Sequence, residues 1–100
     1  MKHTIKVQPF YSNRTGNAVL NQYKIYTSKG VYFQSYNSII ALETPKGLIL
    51  DKFYWDYSNT TSKYLREFIR MGKDETKEKI ASKEIKLRNL NEEYIKLYKQ

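Results

Sequence analysis

The chain has 100 residues, no cysteine and a formal net charge of +8. That length suits one domain spanning 1–100 rather than two, and a chain without cysteine has no disulfide, thiolate metal site or cysteine nucleophile. A small secreted domain usually needs such staples, no signal-peptide-like run opens the sequence, and no segment approaches the roughly 20 apolar residues of a membrane span, so a cytoplasmic protein without membrane contact is expected.

Period-two alternation at Ile5, Val7 and Phe10 predicts a first strand, which Pro9 makes an edge strand or ends. The turn formers Ser12-Asn13-Arg14-Thr15-Gly16-Asn17 read as a mobile loop. From Ala18 the pattern is strand-like again, with Tyr23, Ile25 and Thr27 on one face. Ser28-Lys29-Gly30 is a hairpin turn, and Val31-Tyr32-Phe33-Gln34-Ser35-Tyr36 returns antiparallel. After a kink at Asn37-Ser38, the run Ile39-Ile40-Ala41-Leu42 suits a central strand buried on both faces. Pro45-Lys46-Gly47 closes another hairpin, and Leu48-Ile49-Leu50 leads into Lys52-Phe53-Tyr54-Trp55. The prediction is an α+β fold: an antiparallel meander of about five strands over 3–55, capped by two or three helices within 60–100.

The period changes near Ser58. Tyr64, Leu65, Phe68 and Ile69 recur at helical spacing over about 60–71, with N-cap candidates before them and Gly72 placed as a C-cap. Asp74 is positioned to cap a short helix through Ile80 or Ser82. Two readings remain for the rest. A heptad seam of Ile80, Leu87, Leu90, Tyr94 and Leu97 gives one long helix able to pair with a second copy, but puts Lys83 on the seam. A short strand at Ile85 and Leu87, then a helix over 92–99 capped by Asn91, avoids this and is favoured. No internal repeat or low-complexity tract is evident.

Chemical equipment is sparse. His3 is the only histidine and reads as a surface residue; with no partner of its kind, neither a zinc site nor a Ser-His pair can be assembled. No metal or other cofactor is expected. Asp51 and Asp56 are the one carboxylate pair a metal-dependent hydrolase would use, with Lys52 as a helper, but they read better as a strand end and a turn anchor. The four glycines are isolated turn residues rather than a phosphate loop.

The densest segment runs from Phe53 to Tyr64. Trp55, Asp56 and Thr60 read as a structural corner, the tryptophan under the helix and the polar side chains on its first amides. Tyr54, Tyr57, Lys63, Arg66 and Arg70 read as a partner-binding surface, since tyrosine and arginine suit both protein hot spots and nucleic-acid contact. Charge agrees: residues 1–72 hold ten Lys/Arg against four acids, whereas 73–100 hold eight against six. The positive field therefore belongs to the sheet and first helix, and favours acidic partners.

The stretches Asn21-Gln22-Tyr23, Tyr32-Phe33-Gln34-Ser35-Tyr36-Asn37-Ser38-Ile39-Ile40-Ala41 and Tyr54-Trp55-Asp56-Tyr57-Ser58-Asn59-Thr60-Thr61-Ser62-Lys63-Tyr64 resemble a family of short uncharacterised phage and prophage proteins of Gram-positive bacteria. The resemblance covers roughly 16–72 and brings no catalytic residue. It implies a phage accessory protein, and such proteins act mostly by binding. The expectation is a non-enzymatic inhibitor or modulator of a host machine that handles nucleic acid, such as a CRISPR nuclease. Its partner would be a host protein or protein–nucleic acid complex. Direct DNA or RNA binding is the alternative, and a nuclease the third reading.

Overall fold

The structure, a computed structural model, describes residues 5–99, so His3 lies outside it. Six strands form one sheet in chain order: β1 (Lys6–Tyr11), β2 (Ala18–Thr27), β3 (Gly30–Ser35), β4 (Ser38–Thr44), β5 (Gly47–Asp51) and β6 (Lys86–Arg88). Neighbours are antiparallel except for β6, which lies parallel to β5. The crossover between those two carries α1 (Asn59–Ile69) and α2 (Lys73–Ala81), and α3 (Leu90–Tyr98) follows β6. The fold is α+β as expected, with six strands rather than five.

Helices cover both faces of the sheet. On one, Leu65 and Phe68 of α1 pack with Phe10, Phe33, Ile40, Ala41, Leu50 and Ile85. On the other, Leu90 and Tyr94 of α3 pack on Ile25, Tyr32, Ile39 and Leu42. The run Ile39-Ile40-Ala41-Leu42 serves both cores through a bulge. Phe33 pairs with Ala41 and Gln34 with Ile39, so Ile40 is an extra residue. Ile40 and Ala41 therefore turn to α1, and Ile39 and Leu42 to α3.

The fifth strand stops at Asp51, not at Trp55. The Asp51 carboxylate is fully buried, and its Oδ2 accepts the Phe53 and Tyr54 amides at 3.0 and 3.1 Å, folding the chain into a turn. Its Oδ1 accepts the Leu90 amide at 2.8 Å and the Asn91 side-chain amide at 3.1 Å. Continuing the register from Ala41↔Leu50 would place Lys52 opposite Ile39, but the strand has already ended there. The Asn91 side chain takes the vacant place. It accepts from the Ile39 amide at 2.7 Å and donates to the Ile39 carbonyl at 2.9 Å.

This explains why Asn91 is not the cap of α3. Asn89 caps it, its Oδ1 accepting the Glu92 amide at 3.1 Å. Two other helix ends differ from expectation. Arg70, in the left-handed region at φ 59°, ends α1, while Gly72 has an ordinary φ of −77° and begins α2. Asp74 thus sits inside the first turn of α2 rather than capping it. The single long helix does not form: α2 stops before Lys83, which is left-handed at φ 67°.

Asp51→Ala would leave the buried Leu90 amide without its acceptor and free the 51–54 turn. A loss of at least about 3 kcal/mol in chemical denaturation is expected. Tyr32 supplies an opposite case, because its hydroxyl is buried with no hydrogen-bond partner among the described residues. Burial, and then the neighbouring Tyr98, push its ionisation well above the ordinary 10.0. A raised folded value means the neutral ring's contribution is complete below the unfolded value and lost as pH climbs through the folded one. Stability should therefore fall above about pH 10, and Tyr32→Phe should flatten that fall in pH-dependent denaturation. At neutral pH the same variant should be unchanged or up to about 1 kcal/mol more stable.

Candidate binding surface

The corner between β5 and α1 sorts its aromatic rings by direction. Trp55, its amide bonded to the Asp51 carbonyl at 3.1 Å, is half-buried against the α1-side core. Phe53, Tyr54 and Tyr57 stay exposed, with Tyr54 and Tyr57 meeting edge to face at 5.2 Å between centroids. The Lys52 amine lies 5.1 Å from the Phe53 ring centre. Asp56 is an exposed anchor, bonded to Lys73 at 2.7 Å and accepting from Ser62 at 3.3 Å.

The cap of α1 is Ser58, whose hydroxyl accepts the Thr61 amide at 3.1 Å. Thr60, expected at the corner, is exposed in the first turn instead. Thr61 is the buried one, sharing a 2.8 Å hydroxyl hydrogen bond with Ser35 of β3. That bond pins the helix to the sheet. It leaves Lys63, Arg66 and Arg70 on the outer side, where they line an open concavity of about 610 Å³ with Arg14 and Glu67.

Arg14 was not legible as part of this surface, because it stands about fifty residues away in a loop. Glu67 brings it there. Its carboxylate accepts the Asn13 amide at 2.7 Å and the buried Ser12 hydroxyl at 3.1 Å, and lies 3.6 Å from the Arg14 guanidinium. The same loop is closed internally by Ser12 N to Asn17 O and Gly16 N to Ser12 O, at 3.0 and 2.8 Å. The 12–17 segment is thus a tied loop rather than a mobile one. The one acid on this face is turned inward to hold it.

The structure therefore brings Lys63, Arg66 and Arg70 together and adds Arg14. Tyr54 and Tyr57 form a separate patch with Phe53. Arg66 stands between the two, touching the space beside Trp55 as well as the basic concavity. The arrangement offers fixed cations and exposed rings, suited to an anionic surface.

The chain belongs to a family of unknown function, DUF8033. The family profile matches residues 5–87, which takes in β1 to β5, the corner, α1, α2 and the first two residues of β6, and leaves α3 outside. No curated protein and no solved structure matches the chain.

Arg70 is the notable member of this surface. A side chain in the left-handed region costs about 1 kcal/mol that glycine avoids, less the glycine's greater entropy loss. Arg70→Gly should accordingly leave the melting temperature unchanged or raise stability by up to about 1 kcal/mol. A clear drop in thermal denaturation would show that the side chain has a structural task.

Proposed function

We propose that this protein acts by binding rather than by chemistry, docking the basic outer face of α1 and the aromatic corner before it onto an acidic partner. The observation that carries this is the convergence of Arg14, Lys63, Arg66 and Arg70 on one open concavity whose single acid, Glu67, is engaged with the 12–17 loop. Arginine-rich surfaces flanked by exposed tyrosines have the composition of interface hot spots. The motif resemblance to phage and prophage proteins supports a narrower reading: an accessory protein that inhibits or modulates a host machine handling nucleic acid, such as a CRISPR nuclease. A basic surface suits an acidic protein face or a bound guide RNA, and argues against mimicry of DNA.

The carboxylates favour this over catalysis. Asp51 is enclosed and spends both oxygens on amides, and Asp56 is paired with Lys73. Direct binding to DNA or RNA is the second reading. It is favoured by the exposed rings of Phe53, Tyr54 and Tyr57, with Lys52 over the Phe53 ring, which could stack bases while cations hold phosphates.

Affinity capture from lysate of a Gram-positive host, with and without nuclease treatment, separates the two. A specific protein should be retained after nuclease treatment, and the Arg66→Glu/Arg70→Glu variant should weaken that complex by at least about tenfold. Recovery of nucleic acid alone, with a mobility shift that vanishes at high salt, would replace this reading with the second.

A further inference from the structure

The opposite face of the sheet carries a second cationic feature, formed by residues with no part in the α1 surface. The β2–β3 and β4–β5 turns share one construction. Thr27-Ser28-Lys29-Gly30 and Thr44-Pro45-Lys46-Gly47 each place a threonine hydroxyl against the glycine carbonyl at 2.9 Å. That same hydroxyl accepts the lysine amide, at 3.2 Å in the first turn and 3.1 Å in the second. Both glycines have positive φ, 148° and 138°, and a Cβ on Gly30 would collide with the Glu43 carbonyl. In an antiparallel meander, alternate turns lie at the same end. Two rigid turns therefore hold Lys29 and Lys46 side by side.

Beside them runs a groove of about 470 Å³, lined also by Lys86 and Arg88 of β6 and floored by Leu42 and Ile49, which belong to the α3-side core. Its one lining acid, Glu84, is already engaged, and its arginine is held by a carboxylate outside the groove. Glu84 is bonded to Lys79 at 2.9 Å, and Glu93 holds Arg88 through bonds of 2.6 and 2.9 Å. Lys29, Lys46 and Lys86 are exposed and make no ion pair among the described residues.

We infer that this groove binds an extended acidic segment of a partner protein, with aliphatic side chains on the Ile49 floor and carboxylates on the three lysines. Charge complementarity selects an anion. The floor selects a peptide over nucleic acid, because no aromatic ring lines the groove to stack a base and its one arginine is committed to Glu93. The lysine stems widen the apolar floor while their amines reach the rim. The free edge of β6 adds little. It is three residues long and guarded by Lys86 and Arg88, which disfavours strand addition. The occupant therefore lies on the face of the sheet and does not extend it. The site is separate from the α1 surface, so it stands or falls independently of the function proposed above.

The test uses the full chain and a short fluorescein-labelled peptide alternating glutamate and leucine, with a glutamate–serine peptide of equal charge and a single-stranded oligothymidine of similar charge as comparisons. The leucine peptide should bind tightest by fluorescence anisotropy, and should shift the NMR methyl signals of Leu42 and Ile49. Lys46→Glu/Lys86→Glu should weaken it by about tenfold or more, with Lys29→Glu as an independent variant on the other turn. Arg66→Glu/Arg70→Glu should leave it unchanged. The inference is overturned if the serine peptide binds equally well, if the oligothymidine binds more tightly and loses affinity in the same lysine variants, or if the shifts appear only along α1.

Discussion

One buried carboxylate organises this fold. Asp51 ends β5, closes the turn that delivers the aromatic corner, and receives the first amide of α3 from the other side of the sequence. An ionised group in an apolar interior is tolerated only where its oxygens are met by donors, and here both are. The requirement runs both ways. The amides of Leu90 and of residues 53 and 54 would otherwise be unpaired at a helix start and in a tight turn, so a single side chain answers two structural demands. Asn91 completes the arrangement by standing in for the strand residue that Asp51 has turned away, with its amide filling the Ile39 ladder position. The two halves of the chain are joined at this point.

The basic surface is a consequence of the same economy. Before Gly72 the sequence has four acids against ten bases, and the fold draws three of those acids into structural work. Asp51 holds the α3 start, Glu67 ties the 12–17 loop to α1, and Asp56 anchors Lys73. What remains outside is positive apart from the exposed Glu43. Exposed ion pairs add little to stability, so these pairings matter less for their energy than for the lysines and arginines they leave uncompensated. Arg14 is the exception, its guanidinium 3.6 Å from Glu67. Glu67 ties its loop through the Asn13 amide and the Ser12 hydroxyl, which under the proposed binding role lowers the ordering entropy left to be met on association.

Much of this architecture can be read from residue order alone. Hairpins at Gly30 and Gly47 follow from turn chemistry, and the four-residue apolar run at Ile39 announces a strand with two covered faces. The break after α2 follows from Lys83, which a continuous seam would bury. What escapes the sequence is choice among equivalents. Ser58, Asn59, Thr60 and Thr61 are all credible caps, and only packing decides that Thr61 points at Ser35 while Ser58 takes the amide. Asn89 and Asn91 pose the same ambiguity, resolved by a vacant ladder site that exists only once β5 has ended. Gly72 is the better left-handed residue by propensity, yet Arg70 holds that conformation and Gly72 begins α2, its carbonyl receiving the Thr76 amide and hydroxyl at 3.0 and 2.7 Å. Long-range partners such as Glu67 and the 12–17 loop leave no local signal at all.

The same reasoning supports the proposal of binding over catalysis. A catalytic carboxylate must keep at least one oxygen available to a substrate, and must sit where its neighbours can change with the reaction. Asp51 meets neither condition: both oxygens are spent on groups that the fold cannot release without opening the α3 start. The proposed contacts are instead cations and phenol rings, with the cations mounted on a helix, a tied loop and two hydroxyl-locked turns. Rigid mounting of this kind suits recognition, where preorganised contacts limit the entropy lost on association. The fold thus encloses Asp51 and displays lysines and arginines on firm supports, an arrangement in keeping with the proposed binding role.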